Sequence, residues 1–421
     1  MRTENIVNRR KILKAGGAAA ALGSTGLLSA PAVWGQGKTG VLKLASVNSM
    51  SGGFARYGQE IQRGVELAIE VVNQKGVEIG GTRYTIQQQI YDDKTDASTE
   101  AKLVEKAVTN DGCTIVLAGL GSVLVKASIA VAQRLQFPMM THWAQIDGVF
   151  AGQKGNPFLY GAMPPFSRYY TRISEMATKL DNPKIKKAVM ITPNDELGVF
   201  TSRDYFPSDL KAAGIELAGV EFFPPKTQEY GPALDRLRRL NAEMLVINCY
   251  TPDILGVFKE MQAVNYFPPM IVVEAPTSLR DGIGDAINGV FAPSFWDPTL
   301  DKTKDNYIGT SRDFVRLYKA KYNQDPPDFV AACGANNVVI YAEVLKAAGK
   351  VNDPKAINEA FRALNAETFF SKVKFGDDGL NREGPVYPSQ FQAGSAQPKL
   401  VYPPDVATAK PIHPYPGYKK G

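Results

Sequence analysis

The chain of 421 residues has only two histidines, His142 and His413, and only three cysteines, Cys113, Cys249 and Cys333. Two histidines leave little material for a histidine-ligated metal or a catalytic triad. The cysteines stand beside apolar runs without CxxC spacing, so no metal site is expected. An odd number permits at most one bridge, which makes buried free thiols the expectation. No apolar run reaches the ~20 residues that cross a membrane. Internal repeats, low-complexity linkers, a glycine-rich phosphate loop and a basic stripe interleaved with aromatics are all missing, which speaks against nucleic acid as a partner.

The formal charge of +6 is partly a property of the first residues. Asn8-Arg9-Arg10-Lys11-Ile12-Leu13-Lys14 has the form of a twin-arginine export motif, followed by a weakly apolar Ala/Gly/Leu segment and the small-residue cleavage signal Ala30-Pro31-Ala32. Residues 1–32 hold five basic residues, Arg2, Arg9, Arg10, Lys11 and Lys14, against one acid, Glu4, so their removal lowers the charge to +2. With no cysteine near the cleavage point, lipid attachment is not expected, and the processed protein should be periplasmic and not membrane-anchored. Its 389 residues exceed one ordinary core, so two lobes are expected.

Alternation of strand and helix runs through most of the chain. Val41-Leu42-Lys43-Leu44-Ala45-Ser46-Val47 reads as a strand with Leu42, Leu44 and Ala45 buried, followed by a polar loop from Asn48 to Gly58. Ile61, Val65, Ala68, Ile69 and Val72 share one helical face, and that helix ends at Gly76. After Gly80-Gly81, Tyr84, Ile86 and Ile90 mark an alternating strand, completing a βαβ unit whose loop lies at the carboxyl edge of the sheet, where open sheets bind ligands. Asp96 caps a helix over 97–109, with strands at 114–118 and 137–141 flanking a helix that ends at Leu135. Later strands are expected at 187–192, 215–223, 244–248, 270–274 and 289–295. Helices are expected near 166–180, 199–213, 231–240, 252–264, 306–322, 328–348 and 354–364, with a hairpin-like stretch at 374–379. The proline-rich tail from Pro403 should lie on the surface. The fold class is α/β, open mostly parallel sheets flanked by helices.

The loop Ser51-Gly52-Gly53-Phe54-Ala55-Arg56-Tyr57-Gly58, with its helix and the ending Asn73-Gln74-Lys75-Gly76, resembles the leucine/isoleucine/valine-binding (type I) family of periplasmic binding proteins, which serve ABC importers. The resemblance covers nearly the whole processed chain. It implies two lobes joined by three chain crossings, one of residues 38–160 with 293–384, the other of 161–292 with 385–410, and a tail at 411–421. It implies a monomer that captures a small organic ligand between the lobes and presents it to a membrane permease, with no cofactor and no catalysis.

The resemblance also assigns site residues. Ser122, at a strand-to-helix junction, corresponds to the family's carboxylate-holding serine, although an N-cap serine fits the same position. Trp143, Ala144 and Gln145 stand in the loop whose small residue and threonine hold an amino acid's main-chain groups in the family. This departure makes an aromatic or aliphatic carboxylate a rival to a branched-chain amino acid. Leu197 replaces the family's tyrosine, Tyr250 should face the cleft with Tyr57, and Phe329 matches an aromatic closing over the ligand side chain. Glu274 resembles the acid that pairs with the ligand's ammonium, the alternative being an exposed loop acid. Arg56 is a candidate for a second acidic group or an arginine on the rim. Gly119-Leu120-Gly121 has Leu124 where a nucleotide fingerprint needs glycine. Asp92-Asp93-Lys94-Thr95-Asp96 lacks a calcium loop's glycine and is expected to be solvated. Other readings are a sensing subunit that docks on a membrane receptor, against which neighbouring permease genes would count, and an exported enzyme.

Overall fold

In the computed structural model, residues 38–144, 146–274, 279–300, 303–395 and 397–419 are described. The export motif with its cleavage signal, and Gln145, lie outside the described residues. β1 (Lys38–Asn48) is central to the first sheet, and its side chains alternate between two apolar clusters. Leu42 and Leu44 pack with Ile61 and Val65 of α1 (Ala55–Lys75), whereas Ala45 and Val47 pack with Val104 and Ala107 of α2 (Ala97–Thr109). Burial on both faces is what a parallel strand between two helical layers requires, and each such leucine, isoleucine or valine contributes roughly 1.5–3 kcal/mol.

β2 (Val77–Ile79) turns through Gly80-Gly81 into β3 (Thr82–Asp92), which pairs in parallel along the whole of β1, from Lys38 opposite Thr82 to Asn48 opposite Asp92. β4 (Ile115–Ala118), α3 (Ser122–Leu135), β5 (Met139–Met140) and β6 (Leu159–Tyr160) complete the first sheet, in the order β2-β3-β1-β4-β5-β6.

The chain then passes to a second sheet, built of β7 (Lys187–Pro193), β8 (Glu216–Phe223), β9 (Met244–Ile247), β10 (Met270–Val273) and β11 (Phe291–Ser294), all parallel. It returns to lay the helix Phe329–Ala348 against α1 and to form the small hairpin of β12 (Asn365–Glu367) and β13 (Lys372–Lys374). A third passage brings β14 (Tyr387–Gln390) and β15 (Lys399–Leu400) antiparallel onto the second sheet, in the order β15-β14-β11-β10-β9-β7-β8. The contact of α1 with the helix Phe329–Ala348 is backbone-close: a Cβ on Gly64 would lie 1.8 Å from the Ala331 carbonyl oxygen.

Several expectations are corrected. The βα loop is shorter than Asn48–Gly58, because α1 begins at Ala55 and takes Arg56 and Tyr57 into its first turn. Ile90 is 45% exposed while Tyr91 is buried, so the alternation in β3 changes face near its end. The helix expected at 166–180 is a 3-10 turn, Phe166–Arg168, and a short helix, Thr171–Ala177. That expected at 199–213 is a helix Glu196–Phe200, a π turn Thr201–Tyr205 and a helix Phe206–Ala213, since Pro207 has no N–H to continue the α pattern.

The acidic stretch after β3 is not solvated as a whole. Asp93 is fully buried and accepts hydrogen bonds from Ser49 Oγ (2.7 Å) and Thr95 N (2.6 Å). Asp92 accepts from the backbone N–H groups of Met50 and Ser51, both at 3.1 Å. These carboxylates meet the β1–α1 loop because β3 ends beside β1, and they fix that loop's shape.

Candidate ligand-binding site

The loops at the carboxyl ends of β1, β4 and β5 face those of β7, β9 and β10, and a cavity lies between the two sheets. Its volume is about 30 Å³, where a single water needs roughly 10–15 Å³, so the walls must part to admit an organic solute.

Each sheet supplies its wall through a local device. After β4, Gly119-Leu120-Gly121 turns the chain into α3, and Gly121 is held at φ +82° with its N–H donating to the Trp143 carbonyl at 3.0 Å. A Cβ there would lie 2.7 Å from the Phe54 ring, so this turn admits only glycine. Gly121 is the cap of α3, and Ser122 is the first helical residue with no capping bond from its hydroxyl, so the N-cap reading of Ser122 is set aside. Its backbone N–H points across the cavity, 3.4 Å from the Tyr250 hydroxyl. In the second sheet, Asp195 accepts from Gly198 N at 3.2 Å, and the short helix it caps brings buried Leu197 to the wall.

Of the nine residues singled out by sequence, Tyr57, Ser122, Trp143, Ala144, Leu197, Tyr250 and Glu274 all line this cavity. Phe329 does not. It is buried behind Trp143, edge-on at 5.2 Å between ring centroids, where it supports the wall and does not form it. Arg56 is also outside the cavity, paired with Asp281 at the cleft rim. Sequence reasoning left Phe54 and Ile146 out of the site although both stand beside residues it chose, and it missed Phe166 and Tyr169 altogether. The last two come from the 3-10 turn where the chain passes between sheets, a segment without any strand-end pattern. The Met163-Pro164-Pro165-Phe166 run, a turn signal before clustered aromatics, was the available clue.

The rings form a nearly continuous arc. Tyr250 packs on Phe54 at 4.7 Å, Phe54 meets Tyr57 at 6.1 Å, and Tyr57 meets Trp143 edge-on at 5.3 Å. Behind Trp143 the arc continues through Phe329 and Phe295, 4.9 Å apart, to Tyr169, which stacks on Phe166 at 4.0 Å. Both ends of the arc therefore belong to the second sheet's side, and its middle to the first.

Glu274 is the only ionisable carboxylate, and no basic side chain is present, among the described residues that line the cavity. It is 5% exposed, which corrects the alternative of an exposed loop acid, and its Oε2 has no hydrogen-bond partner among the described residues. Burial alone pushes its carboxyl up to about 8. Burial holds the Tyr169 and Tyr250 hydroxyls far above their ordinary range, with the Glu274 charge adding for Tyr169 and the Asp195 charge, ahead of Glu274, for Tyr250. An unpaired buried carboxyl costs free energy unless protonated or met by a cation, so the site is built to receive a polar group there. His142, adjacent to the wall, is not part of this chemistry: it is buried, its Nε2 lies 3.3 Å from Ser46 Oγ, and burial pushes it down to about 3, which keeps it neutral.

Contacts from one side of the cleft to the other close the cavity. The Tyr57 hydroxyl bonds the Thr251 hydroxyl and accepts from Thr251 N at 2.9 Å, and Lys126 Nζ lies 2.9 Å from Glu196 Oε1. Cys113, Cys249 and Cys333 are buried free thiols. Among the described residues no group of three or more His, Cys, Asp or Glu is placed to hold a metal, and no helix is long and apolar enough to cross a membrane.

Comparison with known proteins agrees with this architecture. The Leu/Ile/Val-binding protein homolog 8 of Brucella abortus is 25% identical over 388 residues, covering 88% of this chain and 92% of that one. A leucine-binding protein of Thermotoga maritima superposes with a TM-score of 0.74 at 19% identity, over 86% of this chain and 99% of the other. An ABC-transporter solute-binding protein from R. palustris, solved in complex with benzoate, gives 0.72 at 20% identity, over 85% and 97%. At these identities the structural likeness establishes the fold alone. The family model described as periplasmic binding protein matches residues 41–396, and the chain belongs to that family.

Proposed function

We propose that this protein is a periplasmic, non-enzymatic solute-binding component of an ABC importer, exported through the twin-arginine pathway. It captures a hydrophobic or branched-chain amino acid, or a related aromatic or aliphatic carboxylate, and delivers it to the membrane permease as a monomer. In this reading the lobes are residues 38–160 with 293–384 and residues 161–292 with 385–410, and the ligand's binding energy holds them together. The observation that carries the proposal is Glu274, a buried carboxyl whose Oε2 has no partner among the described residues, inside an aromatic cavity walled by both sheets. The same fold serves a leucine-binding protein and a benzoate-bound one, which supports a small organic solute of either kind.

A thermal-shift screen of the processed protein against amino acids, amines and aromatic and aliphatic acids tests it. A true ligand at ~100 times its dissociation constant adds roughly 2.7 kcal/mol of stability, and Glu274→Gln or Trp143→Ala should shrink that gain. Stabilisation by no small solute would refute the proposal.

A further inference from the structure

The ring arc and the single unpartnered carboxyl bear on which solute the cavity takes, an inference that rests on the solute-binding reading above. We propose that the captured solute carries a cationic nitrogen substituted with carbon, a tertiary or quaternary ammonium, held within the aromatic arc against Glu274, with any carboxylate of the same molecule at the start of α3.

Three observations lead there. Glu274 is the one carboxyl on the described wall, it is buried, and its Oε2 has no hydrogen-bond partner among the described residues. A cation entering beside it is countered by the carboxylate and attracted by the aromatic rings that line the cavity. Second, beside Glu274 the described lining offers only hydroxyls as polar side chains, those of Ser122, Tyr57, Tyr169 and Tyr250. A primary ammonium brings three N–H donors that must all be satisfied in a dry site. The Tyr57 hydroxyl is engaged with Thr251, and the Tyr250 hydroxyl faces Ser122 N. An alkylated ammonium brings one donor or none, and its carbon substituents are what ring faces accept. Third, a simple anion such as an aromatic acid would find no basic side chain on the described wall. Its favourable contacts are the lining hydroxyls and the start of α3, a 14-residue helix whose first-turn N–H groups can hold a carboxylate. A zwitterion uses both poles.

Isothermal titration of the wild-type protein with glycine betaine, choline, leucine and benzoate, each in two buffers of different ionisation enthalpy at pH 7, tests the proposal. Betaine or choline should bind at least about tenfold more tightly than leucine or benzoate, with release of a proton as Glu274 ionises. Glu274→Gln should weaken that binding by about a hundredfold or more. Trp143→Leu, which keeps an apolar wall, should weaken it by roughly 2–30-fold. Tighter binding of leucine, or of benzoate without proton release, overturns this inference and leaves the solute-binding reading standing. If no compound of any class binds, and the broader screen also gives no stabilisation, both fall.

Discussion

Glu274 makes the solute-free protein's stability depend on pH in a direction opposite to that of a salt-bridged acid. Its carboxyl is 5% exposed and lifted from an ordinary value of 4.5 to about 8 by burial. The folded chain therefore keeps a proton that the unfolded chain has released. Its contribution to stability is fully present below about pH 4.5, is lost as pH rises through the interval up to about 8, and is constant above it. At ~1.36 kcal/mol per pH unit, the loss by pH 7 is about 3 kcal/mol. Glu274→Gln keeps the shape and removes the titration. Urea denaturation of both proteins from pH 5 to 8.5 should show the variant's advantage growing by about 4 kcal/mol over that range, most of it before pH 8. Taking the difference removes the other buried acids, Asp209, raised by burial to about 6, and Asp328, raised by burial to about 7, which titrate in both. An advantage that stays constant with pH would refute the argument that Glu274 is buried without a partner.

Other expectations concern the cleft and its walls. Lys126→Glu opposes Glu196 across the cleft and should weaken solute binding up to about fivefold, the range of an exposed ion pair, with recovery in the Lys126→Glu/Glu196→Lys double variant; titration calorimetry reads both. Gly121→Ala places a Cβ against the Phe54 ring at a backbone conformation reserved for glycine, and should cost about 1–3 kcal/mol in chemical denaturation while also weakening binding.

Much of this was legible in the sequence because βα units write themselves locally. The apolar strand before Asn48, the face from Ile61 to Val72 and the Asp96 cap each specify one element without help from distant residues. The family resemblance then assigned Ser122, Trp143, Leu197, Tyr250 and Glu274 to one site, at strand ends whose loops converge. What depended on tertiary context was not legible. Phe166 and Tyr169 reach the cavity from a chain passage with no periodic pattern. β14 contains Pro388, which reads as a strand breaker and is tolerated only because its neighbours in the sheet are already in place. Asp93 looked like a solvated acid, and only its position beside the end of β1 gives it Ser49 to hold. Glu274's burial likewise comes from two sheets closing over it, which no stretch of its own neighbours encodes.

The central claim, that one small solute occupies the cavity between the sheets, is tested most directly by filling that cavity. Equilibrium titration with the most stabilising compound should give one solute per chain for the wild type. Ala144→Trp, which keeps its fold by circular dichroism, should bind none because the indole takes the solute's place. Undiminished binding by a folded Ala144→Trp protein would contradict the account.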